Sequence, residues 1–307
     1  MRRVILGTDW WTDCDDVAAL RICARAHKRG LWQLMGVCID ACTPEPDDAA
    51  CASVNAFLTA EGLCDIPIGI DHSATTYPGP NSYQPVLAAR YPHAITSNDE
   101  CPDALSLYKT LLRDCADGEA EILEIGFQQT LAALLNDPEG YTLFRDKVAR
   151  LWLMAGSFAE NGRGREYNCS VDKKASRAAH IVAEKAPCPV TYLGFEVGVS
   201  VLCGGNPEND PLLAQDPLVC AFDAHGSHNG RCSWDPMLAL LALHGDAEKA
   251  GYTCRYGRAA IDPETGENTF AYGTAACFTA QTPHRYVVKN RSDAAFQMEL
   301  NHWLRDA

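Results

Sequence analysis

Four aspartates, Asp9, Asp13, Asp15 and Asp16, fall within eight residues of the stretch VILGTDWWTDCDDVAAL, residues 4 to 20. Carboxylates this close repel one another unless a positive group sits among them. They follow a short apolar run, and Asp15 and Asp16 stand where a helix begins. Two roles are open to them: N-terminal residues favoured by the helix dipole, and ligands of a hard cation. A phosphatase-type nucleophile is set aside, because it needs Asp-x-Asp directly after the strand, whereas three residues separate Asp9 from Asp13. Calcium suits such a loop, since it takes about 6 to 8 oxygen ligands from carboxylates, carbonyls and water.

Such a loop needs elements to position it. Strand-length apolar runs alternate with helix-period segments along the chain. RVILGT precedes a helix from about Asp15 to Lys28, and LMGVCID precedes another around residues 47 to 61, which IPIGID follows. EILEIGF leads into TLAALLND, RLWLMAGS into the helical KKASRAAHIVAEK, and PVTYLGFEV comes after. This alternation predicts an α/β fold: one Rossmann-like domain over residues 1 to 307, with a mostly parallel central sheet and helices on both faces. AAIDPETGENTFAYG reads as a hairpin around residues 264 to 266, and residues 292 to 305 as a closing helix. In open parallel sheets, ligands bind beyond the carboxyl ends of the strands. Asp9 to Asp16, Gln128 with Gln129, and Ser157 to Asn168 all follow strands.

Composition narrows the partners. With 26 basic and 40 acidic residues the net charge is −14, which argues against binding a nucleic-acid backbone. No run of eighteen apolar residues is present, so no membrane span is expected. A first strand beginning at Arg3 or Val4 leaves no room for a signal peptide, and a cytoplasmic location is expected. The 15 cysteines are scattered, without CxxC pairs or zinc spacing, and read as reduced thiols packed as small hydrophobes.

Four ordered segments resemble the inosine-uridine-preferring nucleoside hydrolases. ILGTDWWTDCDDVAAL is similar to the family's N-terminal Asp-Thr-Asp-x-Gly-x-Asp-Asp, in the variant with two extra residues. EIGFQQTLAALL, LMAGSFAENGRGREYNCSVD and SWDPMLALLAL resemble the later segments, and the likeness spans residues 4 to about 245. The resemblance implies the fold of that family and hydrolysis of a ribonucleoside to free base and ribose. It implies a Ca²⁺ ion held by Asp9, Asp16, Asp235 and the Gln129 carbonyl. Asp15 would hold ribose hydroxyls and the attacking water, while Asn161, Glu166 and Asn168 would clasp the sugar. Asp9 is expected to be the general base and Asp13 to point outside the site. The partner implied is a small-molecule nucleoside, and the assembly a homodimer or homotetramer. The chemistry is coherent: N-glycosidic hydrolysis needs an activated water and stabilisation of an oxocarbenium-like sugar.

Three positions depart from the family pattern. Gly7 stands where the family usually has an aspartate, whose loss would misorient a ligand, and Trp11 where it has glycine, a bulky indole that would narrow the pocket or change the turn. Trp234 replaces the histidine that serves as acid for the leaving base. The purine-specific branch has Trp-Asp at this point, which favours Trp234 as a stacking surface for a purine. Tyr77, Tyr83, Trp10 and Trp11 are candidates for a second aromatic wall, and the loop with His225 and His228 for a lid. His72, after a strand, is a further site candidate. Two other functions are open: hydrolysis of a related ribosyl compound such as nicotinamide riboside, and ligand binding by a metal-retaining homologue without catalysis.

Overall fold

Strands buried on both faces of a sheet read as unbroken apolar runs, and the centre of this molecule is built from them. The structure is a computed structural model, and residues 1–11, 13–42, 49–76, 82–273 and 284–305 are described. Its strands are β1 (Arg3–Thr8), β2 (Gln33–Cys42), β3 (Ile68–Thr76), β4 (Ala120–Glu124), β5 (Val148–Met154) and β6 (Gly164–Arg165). There follow β7 (Val190–Leu193), β8 (Leu202–Cys203), β9 (Arg231–Cys232), β10 (Tyr252–Ile261), β11 (Glu267–Tyr272) and β12 (His284–Lys289). Ten of them form one sheet in the order β3-β2-β1-β4-β5-β7-β12-β10-β11-β6, while β8 and β9 pair separately. From β3 to β12 every pairing is parallel, and the last three strands are antiparallel.

Side chains on a strand alternate between faces, and β1 shows the result. Val4 and Leu6 enter one core with the helices Asp15–Lys28, Ala50–Ala60, Trp234–His244 and Asp293–Arg305. Ile5 enters the other, with the helices Ala104–Arg113, Gln129–Asn136, Pro138–Lys147 and Lys173–Lys185. Helices therefore cover both faces, and the expected α/β architecture is the one observed. The predicted hairpin is β10–β11, turning at Gly266 with φ 71°, and the closing helix is Asp293–Arg305. The helix expected around residues 47 to 61 is described over Ala50–Ala60.

Strand order reverses between β1 and β4, the crevice where open α/β sheets bind ligands. In that pairing Gly7 lies opposite Glu124. A Cβ at Gly7 would overlap the Glu124 carboxyl and lie 2.8 Å from the Tyr108 hydroxyl. Glycine here makes room for a buried carboxylate on the neighbouring strand. Gly7→Ala is accordingly expected to lower the unfolding free energy by about 1–3 kcal/mol, as overpacking does. Chemical denaturation checks this, and an unchanged midpoint would show that the Glu124 carboxyl does not fill that space.

Candidate active site

The loop after β1 is shaped by its own backbone donors. Trp10 adopts a left-handed conformation, φ 49°, which turns the chain sharply. Its N–H donates to Thr8 Oγ1 at 2.9 Å and to Asp16 Oδ1 at 3.2 Å, and the Thr8 hydroxyl donates to the same Asp16 oxygen. The Trp11 N–H donates to Asp9 Oδ1 at 2.9 Å. The turn is anchored in the core: Trp10 Nε1 donates to Ser53 Oγ at 2.8 Å, and Gln84 Nε2 to the Trp10 carbonyl at 2.6 Å. Trp10 also packs edge-on to Phe57 and Tyr83. Both indoles of the loop are buried and neither lines the cavity beside it, so of the two effects open to Trp11, narrowing the pocket and changing the turn, the first does not occur. Tyr83 is spent on Trp10 in the core, and Tyr77 lies outside the described residues.

Two helix N-termini meet at that cavity, which measures about 280 Å³. Asp15 and Asp16 open the helix Asp15–Lys28, and Asp235 lies in the first turn of Trp234–His244. The Asp235 N–H donates to Asp15 Oδ2 at 3.1 Å, tying the two helices together. Ligand oxygens of Asp15, Asp16 and Asp235 lie within 4.8 Å of one another, and all three residues are buried. Burial pushes their carboxyls well above the usual carboxylate range, Asp16 to about 8, and mutual repulsion adds to the effect. An all-oxygen, dehydrated, mutually repelling donor set fits a hard divalent cation. Asp9 lines the same cavity and is raised by burial and by Asp16, yet it is not one of the three converging groups. Asp15 stands in the converging set where the sequence suggested Asp9.

A second layer holds the turn after β4. Asp40, at the end of β2, accepts hydrogen bonds from the N–H groups of Phe127 (3.1 Å) and Gln129 (3.2 Å), and burial pushes it to about 7. Glu124 accepts from the Gly126 N–H at 3.0 Å. A Cβ at Gly126 would overlap Asp40 and lie 2.6 Å from the Asp9 nitrogen, so glycine lets the two strand ends close. For Gln129 the resemblance assigns the carbonyl, not the side chain. Its side chain bonds Thr75 in both directions, and it is not among the cavity-lining residues.

Glu166 and Asn168 also line the cavity. Glu166 accepts from the N–H groups of Asn168 (2.7 Å) and Gly156 (3.2 Å), and burial pushes it up to about 7. Asn168 Nδ2 donates to the carbonyls of Ile125 (3.0 Å) and Met154 (3.1 Å) at the ends of β4 and β5, leaving Oδ1 as its acceptor. Asn161 is not with them. It sits at φ 55°, beside Gly162 at φ 80°, in a turn that leads back into β6, and it lines a separate cavity with Phe158 and Glu196. Those left-handed residues turn the loop away from the strand ends.

The remaining wall is aromatic. Trp234 Nε1 donates to the Phe195 carbonyl at 2.8 Å, and the two rings stack 5.5 Å apart at 27°. Phe195 and Tyr167 line the cavity, 43% and 42% exposed, and were not singled out from the sequence. Phe195 follows β7, so the strand-end rule points to it. Arg231, also missed, lies 5.5 Å from the Trp234 ring centroid. Asp13 accepts from its Nε at 2.9 Å and its Nη2 at 2.6 Å and lines the cavity, correcting the expectation that Asp13 points outside. His225 Nε2 lies 3.9 Å from Asp13, His228 pairs with Asp223, and His72 is exposed on β3; none of the three lines the cavity.

No family model matches the sequence, and no curated protein matches it. Solved structures do match. An inosine-uridine-preferring nucleoside hydrolase from Bacillus anthracis superposes with a TM-score of 0.71 at 15% identity, covering 100% of both chains. The type III effector protein XopQ, solved with adenosine diphosphate ribose, gives 0.69 at 14% identity over 99% of this chain and 94% of its own. A further effector protein gives 0.68 at 16% identity, over 99% and 93%. Agreement over whole chains at such low identity establishes shared architecture, and the chain has the nucleoside hydrolase fold.

Proposed function

We propose that this cavity hydrolyses the N-glycosidic bond of a purine ribonucleoside, releasing the base and ribose. The observation that carries the reading is the convergence of Asp15, Asp16 and Asp235 next to Asp9, in a pocket that also holds Glu166, Asn168 and Trp234. Asp15, Asp16 and Asp235 would hold Ca²⁺. A cation bound there supplies charge compensation and makes water a better nucleophile near neutral pH. Asp9, oriented by the Trp11 N–H, takes the proton of the attacking water. Glu166 and the Asn168 Oδ1 accept hydrogen bonds from ribose hydroxyls, and unpaired buried acceptors would penalise sugars lacking them. The Trp234–Phe195 wall receives the base; stacking is worth about 1–3 kcal/mol and grows with ring overlap.

The same groups would serve other N-ribosyl compounds, nicotinamide riboside among them, and a binding role without turnover uses the same pocket. XopQ, of the same fold, was solved with a ribosyl compound, adenosine diphosphate ribose, which supports ribosyl recognition as the common element. Free thiols at the described cysteines suit a reducing cytoplasm, and a homodimer or homotetramer is part of the proposal.

Three outcomes are expected. Calcium should raise the melting temperature, by the equivalent of about 2.7 kcal/mol at a hundredfold excess over Kd. Carboxyls raised on folding stabilise the protein fully below their unfolded values, about 4. That contribution is lost as pH rises through about 7 for Asp40 and Glu166 and about 8 for Asp16. The metal-free protein should therefore melt lower near pH 8 than near pH 5, and calcium should close the gap; a melt indifferent to calcium at both would remove the cation site. Asp9→Asn should lower kcat by about 10²–10⁴-fold with unchanged circular dichroism, and near-native turnover would exclude Asp9 as the proton acceptor. Finally, kcat/KM should be higher for inosine and guanosine than for uridine and cytidine, with Trp234→Ala striking purines hardest. Equal hydrolysis of inosine and uridine by the native protein would contradict the purine assignment.

A further inference from the structure

Resting on the hydrolase reading above, we infer that Arg231 binds the departing base, replaces the missing general acid electrostatically, and selects 6-oxopurines. Arg231 is the one cationic side chain among the described residues lining the cavity. Its guanidinium lies 5.5 Å from the Trp234 ring centroid, so a base that reaches the indole meets it. Asp13 takes up Nε and Nη2. Nη1 has no hydrogen-bond partner among the described residues, and the side chain is 36% exposed. Arg231 is thus held at one edge and available at the other.

A guanidinium does not release protons at working pH, and pairing with Asp13 raises its affinity for them further. It therefore acts by charge. As the C1′–N9 bond breaks, its electron pair passes to the base and spreads over the ring to N7 and O6. Water oxygen bonds to C1′, and the water proton goes to Asp9 and from there to solvent. The departing base, hydrogen-bonded by Arg231 while anionic, takes its proton from solvent afterwards. N7 and O6 of hypoxanthine or guanine are paired acceptors that match a guanidinium, whereas adenine presents an N6 donor beside N7. The substrate class is a 6-oxopurine ribonucleoside. Asp13 is a positioning residue, acting only through Arg231.

The test compares inosine, adenosine, inosine 5′-monophosphate and 4-nitrophenyl β-ribofuranoside, whose leaving group needs no such help. With the native protein, inosine should exceed adenosine in kcat/KM by about 5- to 150-fold, the discrimination of one bidentate guanidinium–purine pair. Arg231→Gln should abolish that preference and lower inosine turnover by a much larger factor than nitrophenyl riboside turnover, a split that a folding defect could not produce. Arg231→Lys keeps the charge without the paired N–H geometry and should fall between. Asp13→Asn should weaken the inosine preference in the same pattern. Equal losses on inosine and the nitrophenyl riboside would overturn the assignment, as would unchanged inosine turnover in Arg231→Gln. A preference for inosine 5′-monophosphate that Arg231→Gln removes would assign the guanidinium to phosphate instead and overturn it too. Failure of the native protein to cleave any ribosyl compound would overturn the hydrolase reading and this inference together; cleavage of the nitrophenyl riboside with either of the first two results overturns the Arg231 role alone.

Discussion

Asp15, Asp16 and Asp235 hold carboxyl oxygens within 4.8 Å of one another almost without solvent, and their repulsion has to be met by the protein around them. Taking a carboxylate out of water costs several kcal/mol unless it is paired or hydrogen-bonded. The fold meets that cost in two ways. Two helices begin at the cluster, so their partial positive ends face it. Backbone donors are aimed into it as well: Trp10 N–H at Asp16, Trp11 N–H at Asp9, and Asp235 N–H at Asp15. Burial and mutual repulsion still push every carboxyl in the cluster upward, an imbalance that a bound metal ion would relieve.

Behind the cluster, glycines and carboxylates alternate in a way that explains one departure from the resembled family. Gly7 stands where an aspartate is usual, yet the space is not left apolar. Glu124, its register partner on β4, fills it and accepts from the Gly126 N–H. Asp40 accepts from Phe127 and Gln129 in the same turn. The ends of β1, β2 and β4 are thus locked together by carboxylates lying behind those that face the cavity. This rigid backing lets the loop after β1 keep a left-handed tryptophan in a strained conformation.

Much of this was legible in the chain. Strand and helix periods and the order of elements predicted the α/β sheet, because burial on both faces leaves continuous apolar runs. Asp9, Asp15, Asp16, Glu166, Asn168, Trp234 and Asp235 were named from motifs and line one cavity. What escaped was what depends on backbone conformation or on long-range pairing. Asn161 is turned away by two consecutive left-handed residues, which motif spacing does not encode. Asp13 is claimed by Arg231, two hundred and eighteen positions away. No local pattern announces such partners.

The Asp13–Arg231 pair joins two departures that look unrelated in the sequence. Asp13 belongs to the longer form of the first loop, and Trp234 stands where the family's acid would be. In space they are neighbours through one guanidinium: Asp13 grips it and Trp234 lies 5.5 Å from it. A histidine acid works only by losing a proton and must regain it each cycle, which ties its action to pH. A fixed guanidinium has no such cycle. Its charge is permanent, its orientation is set by Asp13, and the aromatic wall beside it lowers the local dielectric, strengthening its attraction for negative charge on a base. On the proposed reading, the longer loop and Trp234 act through one group: Asp13 sets the orientation of the guanidinium and the indole lies beside it.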